Sequence, residues 1–487
     1  MLSLKQKLKQ GVLWNFIGLF SSRGIQILLK LILARILIPE DFGLFATTAL
    51  IISTFDILKV LGAYQAFIQD RDSDIKKAKN TLFYLNCILD LFVFALIFFS
   101  APIIAKFFTI TNPSLSIILS MMIRVLAIQK IIKIFTNVPN ATLNKEVKFK
   151  TIQIASIIHV LIYFIVSVIL VFSGHGVWSL IYGQLSAIFA ESIIIFLAAP
   201  FWPNLLIDIK IAKRYIKYGK NLLASSFVNI FVQEGDNAII GRILGMASLG
   251  LYHLAEALVN GIVNGIQAAI TPVIFPVFCM IQKNKNKMQR LYFRTFEFSN
   301  LIIVPAIGGI MILANDIIRI FLGEKWLATV PIIYVLSIAI LLKILVYPAE
   351  PFFLAKNKPE LIKNLSIINF FAYLILIYPF VRIWGILGAA YVIAIFSLIK
   401  TTYFSYYLSK EVPKFFRKFF RILIRYILIT LIMLTSLYFI KSILIVNMAT
   451  LFGLALLGII IYIILIKLLD KEIIKDLHKF FIKRKVI

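Results

Sequence analysis

Three side chains near the start of the chain, Arg23, Gln26 and Lys30, are spaced i, i+3, i+7 and so share one face of a helix. An Arg offers phosphate oxygens a planar fork and a Lys a point charge, so this stripe is chemistry for a phosphorylated ligand. Asp56 and Lys59 form a second stripe at i, i+3. Arg124 and Lys343 add single cations inside other apolar stretches, so Arg23, Gln26, Lys30, Lys59, Arg124 and Lys343 are the candidate substrate contacts. Acids form a separate set: Asp56, Asp90, Glu191, Glu256 and the run Gln233-Glu234-Gly235-Asp236-Asn237. Gly235 loosens a helix there, and such a cluster could hold Na⁺ with oxygen ligands or take up H⁺ where desolvation raises a carboxyl pKa. Asp56, Asp90, Glu191, Glu234, Asp236 and Glu256 are therefore the candidate ion-coupling residues. A second reading makes Arg23 and Asp56 a pair that pins two helices, since both lie about 16–18 Å along their segments at 1.5 Å per residue. The two readings are compatible, because a pair can open for a stronger anion.

The elements carrying these residues are set by composition. Of 487 residues 61% are hydrophobic and 15% charged, more apolar side chain than soluble cores can hide. At about 20 residues per spanning helix, the apolar runs read as fourteen spans in an all-α integral membrane protein. They lie near 11–37, 42–66, 80–105, 114–136, 151–172, 177–198, 220–241 and 249–278, then 292–314, 327–349, 362–381, 384–405, 420–440 and 446–466. The boundary between the eleventh and twelfth, around Arg382, is the weakest. Ionisable groups inside such spans cost a few kcal/mol each, roughly, and mark functional positions by default. Snorkelling accounts for Lys130, Lys133 and Lys400, and serves Lys343 as well as substrate contact does.

Charge placement gives direction. The net charge is +29, and 36 of the 51 Lys and Arg fall on one side of the spans, including Lys5 to Lys9, Lys210 to Lys220, Lys410 to Arg425 and the tail from Lys467. Positive loops stay cytoplasmic, so both termini are expected there, facing anionic lipid. Nucleic acid is not the expected partner. Cys87 and Cys279 lie in apolar segments and suggest neither a disulfide nor a metal site. The first apolar stretch is too long for a signal peptide and is read as a retained helix.

Arg35-Ile36-Leu37 and Gly43-Leu44-Phe45 are matched 207 positions later by Arg242-Ile243-Leu244 and Gly250-Leu251-Tyr252. Each copy joins one outward span to the next inward one, which predicts a parallel repeat of two six-helix lobes about an axis along the membrane normal. The expected division is an N-lobe at 1–205, a C-lobe at 206–410, and two further spans with a basic tail at 411–487.

The run Gly11-Val-Leu-Trp-Asn15, Ser22-Arg23-Gly24 and Leu33-Ala-Arg-Ile-Leu-Ile-Pro-Glu-Asp-Phe-Gly43 resembles the opening of bacterial polysaccharide flippases of the multidrug/oligosaccharidyl-lipid/polysaccharide exporter superfamily. Asp236 to Gly245, Leu249 to Tyr252 and Phe275 to Phe278 are similar to that family's second-lobe signature. The resemblance implies a V-shaped fold like that of the superfamily's multidrug exporters. It implies a bacterial inner-membrane flippase that moves undecaprenyl-diphosphate-linked oligosaccharide to the outer leaflet, for O-antigen, lipopolysaccharide, exopolysaccharide or teichuronic acid. It implies a working association with a polysaccharide polymerase and other export proteins, and an Arg early in the first span, where Arg23 stands.

Neither a phosphate-binding G-x-x-x-x-G-K-[ST] loop nor a catalytic constellation is present, and the four His (159, 175, 253 and 478) have no partner at readable spacing. An enzyme is not expected, and the cofactor expectation is none beyond a coupling Na⁺ or H⁺. Two alternatives stand beside the flippase. A cation-coupled multidrug exporter would want a net negative cavity, and a membrane-embedded glycan ligase or polymerase would want a larger outside loop than Asn315 to Ala328. Replacing Arg23 with Ala is expected to abolish surface glycan export while folding and insertion persist. Normal glycan at the surface of that mutant would remove Arg23 from the substrate site.

Overall fold

The computed structural model describes residues 18–469 apart from 19, 20, 23, 63, 71 and 72. Regular structure among them is helical throughout. In chain order the helices are α1 (24–36), α2 (Pro39–Phe55), α3 (Tyr64–Gln69), α4 (Ile75–Phe108), α5 (Leu115–Ala127), α6 (Gln129–Lys145), α7 (Phe149–Phe172), α8 (Trp178–Ala198) and α9 (Ile209–Leu244). They continue as α10 (Met246–Ile281), α11 (Lys285–Ile317), α12 (Thr329–Ile344), α13 (Ala349–Ala355), α14 (Pro359–Trp384), α15 (Ile386–Glu411), α16 (Phe415–Ile443) and α17 (Met448–Leu469). Among the described residues eleven helical stretches are long and apolar enough to cross a membrane. The start of the first expected span, with the Gly11–Asn15 motif and Arg23, lies outside the described residues, as does the side chain of Gln233.

Local chemistry explains where the helices start and stop. Asp74, Asp208 and Asn284 cap α4, α9 and α11 by accepting from the backbone N–H of Lys76 (2.8 Å), Lys210 (2.8 Å) and Lys287 (3.0 Å), satisfying donors that a helix start leaves orphaned. Gly385, at φ +57°, is the one residue separating α14 from α15, so the weakest expected boundary becomes a sharp left-handed turn. Two expected spans are interrupted instead. The segment 42–66 leaves α-helix at Asp56 for a 3₁₀ turn, Asp56–Gly62, and 114–136 breaks at Ile128 between α5 and α6. Hydropathy misses both breaks because the residues through them remain largely apolar.

The packing falls into two compact units. One takes the chain up to Leu254 with Asn369–Ala389, the other Ala255–Ile368 with Ala390 onward. In the first unit α7 and α8 lie side by side, with Gly183 directly on the Ser167 hydroxyl. At its loop edge the buried Asp70 carboxylate is held by Arg214 and accepts from the Tyr215 hydroxyl at 2.8 Å, while Lys145 donates to the carbonyls of Phe67 (3.0 Å) and Asp70 (2.6 Å). The second unit is built on an aromatic core in which Phe296 stacks on Phe419 (centroids 5.1 Å apart) and Phe353 on Phe404 (5.9 Å). There α16 and α17 pack against α11, and the Tyr462 hydroxyl donates to the Leu301 carbonyl at 2.9 Å. Pro305, four residues on, has no N–H to give that carbonyl.

The repeated motif meets itself inside the first unit. A Cβ built on Gly43 would enter the Met246 carbonyl oxygen, and one built on Gly250 would enter the Pro39 carbonyl oxygen. With an offset of 207, Pro39 corresponds to Met246 and Gly43 to Gly250, so each copy presents the same position to its counterpart, as a two-fold contact does. Thr47 adds a hydrogen bond to the Met246 sulfur at 3.2 Å. Gly43→Ala and Gly250→Ala should each destabilise the protein by about 1–3 kcal/mol through overpacking. Thermal melting in detergent measures it, and an unchanged midpoint for both would show that the contact is loose.

Candidate functional site

A cavity of about 340 Å³ opens within the first unit. Gln26 and Lys30 from α1, Ser53 and Asp56 at the end of α2, Gln129 from α6, His159 and Tyr163 from α7, Gln184 from α8 and His253 from α10 supply its polar lining, and Phe42, Phe45 and Leu126 are among its apolar walls. The i, i+4 relation of Gln26 and Lys30, and of His159 and Tyr163, brings each pair to one face of its helix. Asp56 enters because the helix unwinds there.

Behind Asp56 lies an ion network. The Lys130 ammonium, on a side chain 1% exposed, donates to Asp56 Oδ1 at 2.5 Å, and Lys59 stands 3.8 Å from the same oxygen. Lys59 pairs with Asp90 at 2.6 Å, and Asn137 donates to the other Asp90 oxygen at 2.7 Å. Two acids and two bases thus neutralise one another where the helices break. Lys130 does not snorkel: a carboxylate within reach holds its amine at depth, where an unmatched charge would be expensive. Asp56, expected opposite Arg23, is bonded here to Lys130.

Arg124 has a different task from the one its charge suggested. Its Nε donates to the Phe98 carbonyl at 3.1 Å, and its guanidinium lies 4.9 Å over the Phe98 ring. Pro102 follows Phe98 by four residues inside α4 and cannot satisfy that carbonyl. Arg124 and Lys59 are outside the cavity lining, and Lys343 is exposed in the last turn of α12. Lys400, expected to snorkel, binds Glu350 at 2.6 Å instead.

Of the acids, Glu191 meets His159 Nδ1 at 2.9 Å, a pairing between α7 and α8 that gives one of the scattered His a partner 32 positions away. Asp236 accepts from the Tyr252 hydroxyl at 2.6 Å and from the Asn237 N–H at 2.9 Å, and Glu234 accepts from the Asn237 amide at 3.1 Å. The Tyr373 ring of α14 packs against Gly235, where a Cβ would come within 2.9 Å of its hydroxyl. This junction of α9, α10 and α14 is polar and buried. Glu256 accepts from Asn260 at 3.2 Å within α10. The structure therefore gathers Gln26, Lys30 and Asp56, places Lys59 and Asp90 behind them, and leaves Glu234 with Asp236 as a separate cluster. His159, Tyr163, Gln184 and His253 were missed because the weight fell on acids, Lys and Arg; polar residues inside otherwise apolar runs were the available signal.

These features define a polytopic helical membrane protein with a polar enclosure among its helices. The description "polysaccharide biosynthesis protein" belongs to the family that matches residues 32–331, and the chain is a member of that family. It is 25% identical over 399 residues to the teichuronic acid biosynthesis protein TuaB of Bacillus subtilis (strain 168), covering 82% of this chain and 81% of the relative. It is 23% identical over 379 residues to the lipopolysaccharide biosynthesis protein WzxC of Escherichia coli (strain K12), covering 77% and 75%. A solved structure of the lipid II flippase MurJ in an inward closed conformation matches with a TM-score of 0.78 at 16% identity, over 94% of this chain and 99% of that one, a likeness of fold.

The ion network predicts an asymmetry between its partners. Asp56→Ala strands the buried Lys130 charge and should cost about 3–5 kcal/mol. Lys130→Met leaves Asp56, 40% exposed, beside Lys59 and should cost far less, and the double variant should recover most of the loss. Equal melting shifts for the two single variants would show that Lys130 is not held by Asp56.

Proposed function

We propose that this protein is a flippase that carries undecaprenyl-diphosphate-linked oligosaccharide units from the cytoplasmic to the outer leaflet of a bacterial inner membrane, for surface polysaccharide biosynthesis. The observation that carries the reading is the cavity of a chain in the polysaccharide biosynthesis family. Asp56 is the one acid in its described lining and is bonded to Lys130, while the Lys30 cation lines the same space. A sugar head group cannot cross hydrocarbon with its hydroxyls unsatisfied, and a polar enclosure removes that barrier while the prenyl tail stays in lipid. Arg23, by its register with Gln26 and Lys30, belongs with them in gripping the diphosphate. A cationic-drug exporter would need the opposite balance of charge.

The proposed architecture has fourteen spans, in two six-helix lobes at 1–205 and 206–410 and a further pair at 411–487. Its support is the reciprocal packing of Gly43 and Gly250 and the length of α9 and α10, 36 residues each, where the seventh and eighth spans are expected. Both termini are cytoplasmic in this reading, from the basic loops. Alternating access is driven by Na⁺ or H⁺, with Glu234 and Asp236 as the coupling pair and Asp56 and Asp90 responding through their lysines. The export machinery, including a polymerase, takes the product.

The test is reconstitution of the full chain in vesicles with a fluorescent undecaprenyl-diphosphate-linked glycan, its leaflet read by a membrane-impermeant quencher. Transfer should be at least tenfold faster than in protein-free vesicles, and Lys30→Gln should remove most of the gain. Equal rates with and without protein would overturn the proposal.

A further inference from the structure

Resting on the flippase reading, we infer that the α7–α8 wall of the cavity is a saccharide subsite. His159 and Tyr163 of α7 and Gln184 of α8 line the same enclosure as Gln26 and Lys30 of α1, but they are a different kind of surface. A diphosphate needs cations. Sugar hydroxyls, each both donor and acceptor, are matched by polar groups that hydrogen-bond in more than one way: an amide, a phenol and an imidazole.

Glu191 fixes the His159 ring. Its carboxylate lies 2.9 Å from Nδ1, so the ring donates Nδ1–H to it, and Nε2 is the atom left to meet a ligand hydroxyl. Glu191 itself is outside the lining and acts through His159 as a positioning residue. The cavity's 340 Å³ lies within the range of ligand pockets, roughly 300–1,000 Å³. A site built to bond a hydroxyl rejects the analogue lacking it, because its own polar groups are then left unmatched. The α7–α8 wall therefore reads the first sugar, while α1 holds the phosphates common to all such lipids.

The experiment measures binding of purified full-length protein in micelles to undecaprenyl diphosphate and to the same lipid carrying one N-acetylglucosamine, glucose or galactose. The wild type should bind at least one sugar-bearing lipid tenfold or more tightly than the bare one. Glu191→Gln and His159→Asn should reduce that preference below threefold with the bare-lipid Kd unchanged, whereas Lys30→Gln should weaken all four lipids together. Melting curves verify that the variants are folded. A preference that survives both substitutions, an equal loss for bare and sugar-bearing lipid, or a wild type that does not distinguish them overturns the subsite and leaves the flippase reading standing. Failure of the wild type to bind any of the four overturns both.

Discussion

Every charge and every backbone polar group in this chain must be satisfied by the protein itself wherever it sits in hydrocarbon. That constraint organises the first unit. Asp56, Lys59, Asp90 and Lys130 come from three segments distant in sequence, and their mutual neutralisation decides which helices lie together. The breaks at Asp56 and Ile128 keep their own backbone bonded, at Ile128 through the Val125 carbonyl at 3.2 Å. The cavity forms beside these breaks.

Two of the helix prolines follow the same rule. Pro102 and Pro305 each leave a carbonyl without its helical donor, and in both cases a side chain from another helix supplies one: Arg124 to Phe98 and Tyr462 to Leu301. Each proline-bearing helix is thereby tied to a neighbour. An arginine at membrane depth is then as readily a backbone partner as a ligand contact, and only its surroundings distinguish the two uses.

Much of this was legible in advance. Composition and the placement of lysine and arginine marked a polytopic membrane chain, and the motifs around Gly43 and Gly250 pointed to the family that the chain joins. The stripe of Gln26 and Lys30 reached the cavity because helical spacing is local and readable. Arg124 was misjudged because its partner, a carbonyl freed by Pro102, has no side-chain signature. Lys130 was misjudged because depth was inferred from distance to a helix end, without the carboxylate that holds it. His159 and Glu191 meet across a hairpin, and a pairing of neutral or singly charged residues 32 positions apart leaves no period to detect.

The paired approach of Gly43 and Gly250 has the form of an interface between two identical molecules, although one chain makes it. In a dimer, a mutation at such an axis strikes both sides at once. A single polypeptide separates the two sides, so replacing Gly43 leaves Gly250 as it was, and each half of the contact can be perturbed alone.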